Sequence, residues 1–154
     1  MKIAIGSDHN AFDLKEELKQ FMINNGFDVE DYGCYSCEAV DYPDVSFRVA
    51  DDIKSGKADR GVLVCGTGIG VAIAAGKVPG IRAALCHDTY SAERAQLSNN
   101  AQIITMGAKI IGPEVAKKVL EAYLNVQFEG GASARKIKQI TDQEDIYIQQ
   151  ESRS

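Results

Sequence analysis

The alternation of short apolar runs with stretches of helical periodicity constrains the fold of this chain more than any other feature. Five runs, short enough and apolar enough for buried strands, occupy 2–6, 27–32, 60–65, 81–86 and 102–106. Between them, apolar residues recur every three or four positions, as on one face of a helix. Repeated strand–helix order predicts a parallel sheet covered by helices on both faces. We therefore expect one α/β domain over 1–154, a three-layer α/β/α sandwich with a five-stranded, Rossmann-like parallel sheet.

Turn residues mark the expected helix boundaries. The first helix is predicted over 11–25 and ends at Asn25-Gly26, while Pro43 and Pro113 stand where first-turn prolines begin helices. The helix that starts at the second proline is expected to bury its apolar positions, Val115, Val119, Leu120 and Tyr123. Two more helices are predicted over 69–76 and 88–97. The polar segment 132–150, within the C-terminal helix and tail 132–154, is expected to pack on a partner subunit.

Charge and composition exclude several classes of partner. The net charge of −5 and the isoelectric point near 5.0 argue against nucleic acid or an anionic membrane, because such partners need a positive surface. No apolar run approaches the ~18 residues of a membrane span, and the first residues contain no apolar signal core. We therefore expect a cytoplasmic protein that binds neither nucleic acid nor a membrane.

Cysteine usage points to thiols in a reducing compartment. Four cysteines in 154 residues are too few for a disulfide framework. Cys34 and Cys37 form a CxxC pair, but the sequence has no second pair, and this one does not open a helix after a strand as a redox motif would. We interpret the pair as structural and expect neither a metal nor a cofactor.

Chemically informative residues follow four of the five predicted strands. They comprise Asp8 and His9 after the first strand, 65–70 after the third, Cys86, His87 and Asp88 after the fourth, and Lys109 after the fifth. Ligands of parallel α/β sheets bind outside the carboxyl ends of the strands. We expect these residues to meet at one edge of the sheet.

The loop "CGTGIG" after the third strand fails both common nucleotide-binding motifs. A dinucleotide fingerprint starting at Gly66 would need glycine where Val71 stands, and a P-loop ending at Gly76-Lys77 would need a hydroxyl where Val78 stands. What remains is a glycine-rich turn that opens a helix, where N–H groups favour a neighbouring anion.

Cys65, the first residue of this loop, allows three interpretations. Neighbouring N–H groups favour its thiolate form, which can act as a nucleophile or as a base, and a buried strand-end cysteine can also be purely structural. A nucleophile would require His9 or His87 as a partner. A base that removes a proton next to a carbonyl creates an enediolate, and each N–H aimed at that oxyanion supplies about 3 kcal/mol.

Several stretches together resemble the type B ribose-5-phosphate isomerase family, which includes galactose-6-phosphate isomerase subunits and allose-6-phosphate isomerase. They are "IGSDHNAFDLK", "DYPD", "CGTGIGVAIAAGKVPGIRAALCHDTYSA", "NNAQIITMGAKIIG" and "FEGG", in register over about 1–140. The resemblance implies a metal-free, cofactor-free aldose–ketose isomerase of phosphorylated sugars. It also implies a homodimer or tetramer whose active sites are shared between subunits.

The resemblance implies a role for each matching residue. Cys65 is implied as the base that moves a proton between C2 and C1 through a cis-enediolate, and Thr67 as a hydroxyl that serves the sugar oxygens. His9 matches a phosphate contact. Asp8 matches a position that lines the sugar site, and we predict a catalytic role for it. The implied substrate-binding residues also include Tyr42, Gly66, Gly68, Ile69, Gly70 and Asn99.

Three departures from the family pattern bear on which sugar phosphate the chain binds. Ser98 stands where the family usually has the histidine credited with opening the furanose ring, and a serine has no ionisation near neutral pH. Ala132, Ser133 and Lys136 replace an Arg-His pair and a following arginine, and Lys109 replaces a common arginine. Phosphate would then meet the charges of Lys109, Lys136 and Arg135 rather than bidentate forks.

These departures leave two hypotheses. In the first, the enzyme isomerises another sugar phosphate, either a tetrose phosphate that needs no ring opening or a hexose phosphate, with His87 as the replacement acid. In the second, the chain is a catalytically weak, sugar-phosphate-binding partner subunit of the galactose-6-phosphate isomerase kind. The intact loop with Cys65 and Thr67 favours the first hypothesis.

Overall fold

The computed structural model describes residues 1–153 and contains one five-stranded parallel sheet. Its strands are β1 (Lys2–Ser7), β2 (Asp28–Asp31), β3 (Arg60–Cys65), β4 (Ala83–Leu85) and β5 (Ile103–Gly107). They are arranged in the order β2-β1-β3-β5-β4, with every neighbouring pair parallel. Because β5 lies between β3 and β4, the chain that leaves β5 passes directly beside the loop that leaves β3.

Helices cover both faces of the sheet. They are α1 (Phe12–Asn24), α2 (Tyr42–Lys54), α3 (Ile69–Gly76), α4 (Thr89–Leu97), α5 (Pro113–Leu124) and α6 (Ala132–Arg153), and a short 3-10 turn spans His9–Ala11. Helices α1, α4 and α5 pack with one set of strand residues, and α2 and α3 pack with the other. The predicted three-layer α/β/α sandwich is confirmed.

The strand β3 shows why both layers are needed. All six of its residues are buried. Val62 and Val64 face the layer of α1, α4 and α5, whereas Leu63 and Cys65 face α2 and α3. A strand buried on both faces reads as a continuous apolar run rather than as an alternating one, as this stretch of sequence does.

One predicted apolar face is wrong in detail. Val115 is 51% exposed, and Ala116 takes its place in the core beside Val119, Leu120 and Tyr123. With Leu124, the buried positions of α5 follow the spacing i, i+3, i+4, i+7 and i+8, and Val115 lies outside that stripe, about 100° around the helix from Ala116. The sequence pattern favoured Val115 because a β-branched apolar residue is a stronger core signal than a small alanine. In the structure the alanine, Ala116, lies within the buried stripe.

The helix α6 lies apart from the sheet and buries only Ile137 among its described residues. It is attached through Glu144, whose Oε1 accepts a hydrogen bond of 2.7 Å from the Gly80 N–H. Its expected packing on a partner subunit stays a prediction. None of the helices within 1–153 is both long enough and apolar enough to cross a membrane.

Candidate active site

A cavity of about 570 Å³ opens at the carboxyl edge of the sheet, over the ends of β1 and β3. It is lined by Asp8, His9, Asn10, Val40, Asp41, Tyr42, Cys65, Gly66, Thr67, Ile69, Gly70 and Ile73. Eight of these are residues that the sequence pattern singled out. They come together because parallel strands end at the same edge and α2 begins beside them.

Cys65 is the last residue of β3, and it is 5% exposed where it lines the cavity. Its Sγ accepts a hydrogen bond of 3.1 Å from the backbone N–H of Gly68. This N–H brings the positive end of a peptide dipole next to the sulfur. Cys65 is thus part of the cavity wall, and its sulfur is supported on one side by the loop that comes after it.

Three of the four carbonyl groups of the loop 65–68 accept hydrogen bonds from β5 and the residues directly after it. The carbonyl of Cys65 accepts from the Ala108 N–H at 2.8 Å, and that of Gly66 accepts from the Lys109 N–H at 3.0 Å. The Gly68 carbonyl accepts from the hydroxyl of Thr105 at 2.8 Å.

With its carbonyl groups engaged in this way, the loop keeps several N–H groups available. Within the described part of the chain, the N–H groups of Gly66, Thr67 and Gly70 have no acceptor. They lie beside Cys65 at the N-terminus of α3, where the helix dipole also favours negative charge. The arrangement is suited to an oxyanion that develops next to the sulfur.

Two glycines are required by this packing. Gly68 has a φ of 79°, and a Cβ there would lie 2.6 Å from Leu85 Cδ1 and 2.7 Å from the carbonyl carbon of Met106. A Cβ on Gly70 would lie 2.5 Å from Cζ of Tyr42, whose ring therefore rests directly on the first turn of α3. The glycine pattern of the loop thus reflects close packing and an αL backbone rather than nucleotide binding.

The end of β1 contributes a buried carboxylate and an imidazole. Asp8 is almost fully buried, and its carboxylate accepts from the N–H of Asn10 at 3.0 Å and from the Asn10 side chain at 3.2 Å. Nδ1 of His9 lies 3.2 Å from the nitrogen and 3.3 Å from the oxygen of Val40. The imidazole is thereby tied to the segment that leads into α2.

His87 lies at the same edge but is not among the residues that line the cavity. Its Nε2 accepts a hydrogen bond of 2.9 Å from the N–H of Gly107, so the neutral ring carries its proton on Nδ1. The next residue, Asp88, caps α4 by accepting from the Ser91 N–H, which lowers the pKa of its carboxyl group. The preceding residue, Cys86, is buried, and burial together with Asp88 raises the pKa of its thiol to about 11.

The predicted phosphate ligands are divided between the two edges of the sheet. Lys109 lies at the carboxyl edge, where its side chain passes close to Gly66. Arg135 and Lys136 lie on the exposed first turns of α6. The segment leading into α6 is held near the amino edge by a hydrogen bond from the Phe128 N–H to Gln96.

Ser98 and Asn99 also lie at the amino edge, away from Cys65 of the same chain. The helix α4 begins at the carboxyl edge and runs across the sheet, so residues that come after it reach the opposite side. There Ser98 Oγ accepts from Arg94 at 2.8 Å, and the Asn99 carbonyl accepts from Arg82, which precedes β4, at 3.2 Å. One chain alone does not bring these two residues to the cavity.

Sequence reasoning missed four residues that line the cavity: Asn10, Val40, Asp41 and Ile73. Asn10 and Asp41 adjoin residues that were selected, and their proximity along the chain was the available signal. Val40 belongs to an irregular segment between β2 and α2, for which periodicity gives no information. No group of three or more potential metal-ligating side chains occurs among residues 1–153.

The family described as Ribose/Galactose Isomerase matches residues 3–140, which is most of the chain. The chain belongs to this family. Membership confirms the resemblance noted in the sequence and the expectation of an aldose–ketose isomerase acting on a phosphorylated sugar. The roles of individual residues in the cavity stay predictions.

Two curated relatives in the ribose/galactose isomerase family are named for different sugars. A D-erythrulose-4-phosphate isomerase from Pectobacterium atrosepticum is 52% identical over 141 residues, covering 91% of this chain and 93% of that protein. A ribose-5-P isomerase B from Listeria innocua is 47% identical over 137 residues, covering 89% and 93%.

A solved structure of a family member has the same fold. Ribose-5-phosphate isomerase B from Clostridium thermocellum superposes with a TM-score of 0.93 at 43% identity, covering 96% of this chain and 99% of that one. The agreement extends over nearly the whole chain, which includes the cavity and the elements that form it.

Proposed function

We propose that this isomerase interconverts D-erythrulose 4-phosphate and D-erythrose 4-phosphate. Ser98 is the observation that carries the choice of a four-carbon sugar, since a serine there cannot supply ring-opening acid–base chemistry. In a tetrose 4-phosphate, O4 is esterified and no furanose ring can close, so the substrate reaches the enzyme already open. The name of the relative that is 52% identical supports the same choice.

Cys65 is the proposed base. Its thiolate removes a proton from C1 of the ketose, and the electron pair of that C–H bond forms the C1=C2 double bond of a cis-enediolate as the carbonyl oxygen becomes an oxyanion. The thiol then returns the proton to C2 while the hydroxyl proton of O1 passes to O2, so that O1 becomes the aldehyde oxygen and O2 the new hydroxyl group. The single hydrogen bond from Gly68 to the sulfur supports a thiolate that still has lone pairs for this transfer.

The free N–H groups of Gly66, Thr67 and Gly70 are the proposed oxyanion site. They interact most strongly with the enediolate oxygen, which carries negative charge only during the reaction, and so they lower the barrier rather than merely improve binding. The Thr67 oxygen already accepts from the Ile69 N–H at 3.2 Å, which leaves its own O–H to donate to a sugar oxygen.

The active site is proposed to be completed by a second copy of the chain. Ser98, Asn99, Arg135 and Lys136 lie away from the cavity of their own chain, so they contribute only if a neighbouring subunit presents them. Ile73 at the cavity wall is 60% exposed, and Tyr90 near the start of α4 is 72% exposed, which is the apolar surface such a contact would cover. We propose a homodimer or tetramer in the cytoplasm, where free cysteines persist as thiols.

Ribose 5-phosphate is the second candidate substrate. The relative from Listeria innocua that is 47% identical favours it, because its name specifies a ribose phosphate. Ribose 5-phosphate has a free O4 and is mostly closed as a furanose, so this chain would depend on spontaneous ring opening or on His87. We expect it to be the poorer substrate by about 100-fold in kcat/KM, a difference of about 2.7 kcal/mol at the transition state.

The experiment is a panel of four-, five- and six-carbon sugar phosphates assayed in deuterated water. Aldose–ketose conversion and deuterium at C2 of the aldose are measured for the wild type and for Cys65→Ala. A higher kcat/KM for D-erythrulose 4-phosphate than for any pentose or hexose phosphate is expected. The matched variant Ser98→His should raise turnover of ribose 5-phosphate alone.

Two results would contradict the proposal. A preference for ribose 5-phosphate in the wild type would overturn the choice of a tetrose. Binding of sugar phosphate with no turnover or label exchange on any sugar would favour the partner-subunit hypothesis, in which the chain completes the site of another protein.

A further inference from the structure

Thr105 is a fully buried polar residue in the middle of an apolar strand. It lies in β5 opposite Leu63 of β3 and Leu85 of β4, on the face that α2 and α3 cover. Burying a hydroxyl without a hydrogen-bond partner costs free energy. Every buried side-chain nitrogen or oxygen among residues 1–153 has a hydrogen-bond partner. The partner of Thr105 is the carbonyl of Gly68, which accepts its hydroxyl proton at 2.8 Å.

Gly68 is the residue of the loop that also contacts the sulfur. Its N–H donates to Cys65 Sγ, and its φ of 79° sets the turn from which α3 starts. One side of Gly68 is therefore fixed by a side chain of β5, and the other supports the proposed base. The carbonyls of Cys65 and Gly66 are held by backbone N–H groups, so Thr105 is the residue of β5 whose side chain anchors the Gly68 carbonyl.

We infer that Thr105 is a positioning residue for the isomerase reaction. Its hydroxyl holds the Gly68 carbonyl against β5, which keeps the Gly68 N–H on the sulfur of Cys65. The same anchor keeps the N–H groups of Gly66 and Gly70 facing the enediolate. Thr105 does not line the cavity and acts only through the loop. The inference rests on the proposed function for the role of Cys65, and it is independent of which sugar is the substrate.

A positioning role makes a prediction that a packing role does not. Thr105→Val keeps the shape of the side chain and removes the donor, whereas Thr105→Ser keeps the donor and removes a methyl group. If the hydroxyl matters, Thr105→Val lowers kcat about tenfold with KM unchanged, because the loop contacts the enediolate more strongly than the substrate. Thr105→Ser then retains the wild-type kcat even where its thermal midpoint falls.

Two readouts do not depend on turnover. Alkylation of Cys65 by iodoacetamide at pH 7, followed by peptide mapping, should slow in Thr105→Val and stay at the wild-type rate in Thr105→Ser. Hydrogen exchange of the Gly68 amide should become faster in Thr105→Val only. Should the wild type turn over no sugar phosphate, the proposed function fails, while these two measurements still decide the role of Thr105.

Tyr123→Phe is the matched control. It also removes a buried hydroxyl that donates to a backbone carbonyl, that of Ala101 at 2.6 Å, but at the amino edge. It should lower stability and leave kcat and Cys65 alkylation unchanged. If Thr105→Val is not recovered folded, Thr105→Ala, which cannot overpack the strand, is compared with Thr105→Ser instead.

The inference is overturned by any of three results. The first is a wild-type kcat and Cys65 alkylation rate in the valine variant. The second is an equal loss in the valine and serine variants, which would assign the effect to the methyl group. The third is an equal loss of kcat in Tyr123→Phe, which would assign it to general destabilisation.

Discussion

Cys65 ends β3 and Cys86 comes directly after β4, so two thiols stand at the carboxyl edge of one sheet, 5% and 3% exposed. Cys65 faces the layer of α2 and α3, lines the cavity and accepts the Gly68 N–H. Cys86 faces the other layer, among the core residues of α1, α4 and α5, where burial and then Asp88 raise the pKa of its thiol to about 11.

The residues on the C-terminal side of each cysteine account for a further part of the difference. Glycines come after Cys65, and they allow the backbone to turn back and place an N–H on the sulfur. After Cys86 come His87, which accepts from the Gly107 N–H, and Asp88, whose negative charge opposes a thiolate nearby. Exposure and strand position are nearly equal, so the surroundings of each sulfur separate the two thiols: Cys65 lines a cavity and accepts a backbone N–H, whereas Cys86 is enclosed in the core near Asp88.

Removal of each thiol gives the largest expected contrast. Cys65→Ala should lower kcat for aldose–ketose conversion about 10³-fold, because a general base contributes on this scale. Cys86→Ala should leave kcat unchanged, since its sulfur is enclosed in the core. Steady-state assays of both variants with D-erythrulose 4-phosphate make the comparison, and equal losses in the two would refute the assignment of Cys65 as the base.

Alkylation rates separate the two thiols in the unmodified protein. With a pKa of about 11, Cys86 holds about one thiolate in a thousand at pH 8 and is enclosed in the core, so iodoacetamide should label Cys65, which lines the cavity, faster than Cys86. The Cys86 labelling rate should rise about tenfold per pH unit up to about pH 11. Mass spectrometry of time points at several pH values measures both rates, and similar rates at pH 8 would show that the environments do not differ as argued.

Substitution of glycine tests whether the turn after Cys65 makes the difference. Gly68→Ala places a Cβ against Leu85 and Met106 at a φ of 79°, so the N–H should leave the sulfur and kcat should fall about tenfold. Gly76→Ala, near the end of α3, meets no atom within 4 Å and serves as the control with unchanged kcat. An active Gly68→Ala whose Cys65 is alkylated at the wild-type rate would show that the loop does not activate this thiol.

The layers of this fold and the residues at the strand ends could be predicted from the sequence. Apolar runs located all five strands within a few residues, and strand-end positions led to Asp8, His9 and Cys65, which line the cavity. Such inferences succeed because they depend on local patterning and on the common edge of parallel strands.

Inferences that depend on which elements are neighbours could not be drawn from the sequence. The place of β5 between β3 and β4 brings Thr105 under Gly68 and Gly107 against Thr67, yet in the sequence Thr105 is only a β-branched residue in an apolar run. Ser98 lies after a helix whose length carries it to the opposite edge. Long-range packing of this kind has no short-range signal.

The smallest expected difference between the two cysteines is in stability, where loss of Cys86 should have the larger effect. Cys86→Ala leaves a cavity among packed core residues and should lower the free energy of unfolding by about 1 kcal/mol, more than Cys65→Ala, whose sulfur already borders an open cavity. Burial raises the pKa of the Cys86 thiol in the folded chain above its value in the unfolded chain. The free energy of unfolding that the neutral thiol contributes is therefore complete below about pH 9, where thiols in an unfolded chain begin to ionise. It is lost as the pH rises toward 11. Urea unfolding at pH 7, 9 and 10 should therefore show the stability difference between wild type and Cys86→Ala shrinking with pH. A difference that stays constant over this range would mean that the Cys86 thiol ionises alike in the folded and unfolded chain, and that burial does not distinguish it from Cys65.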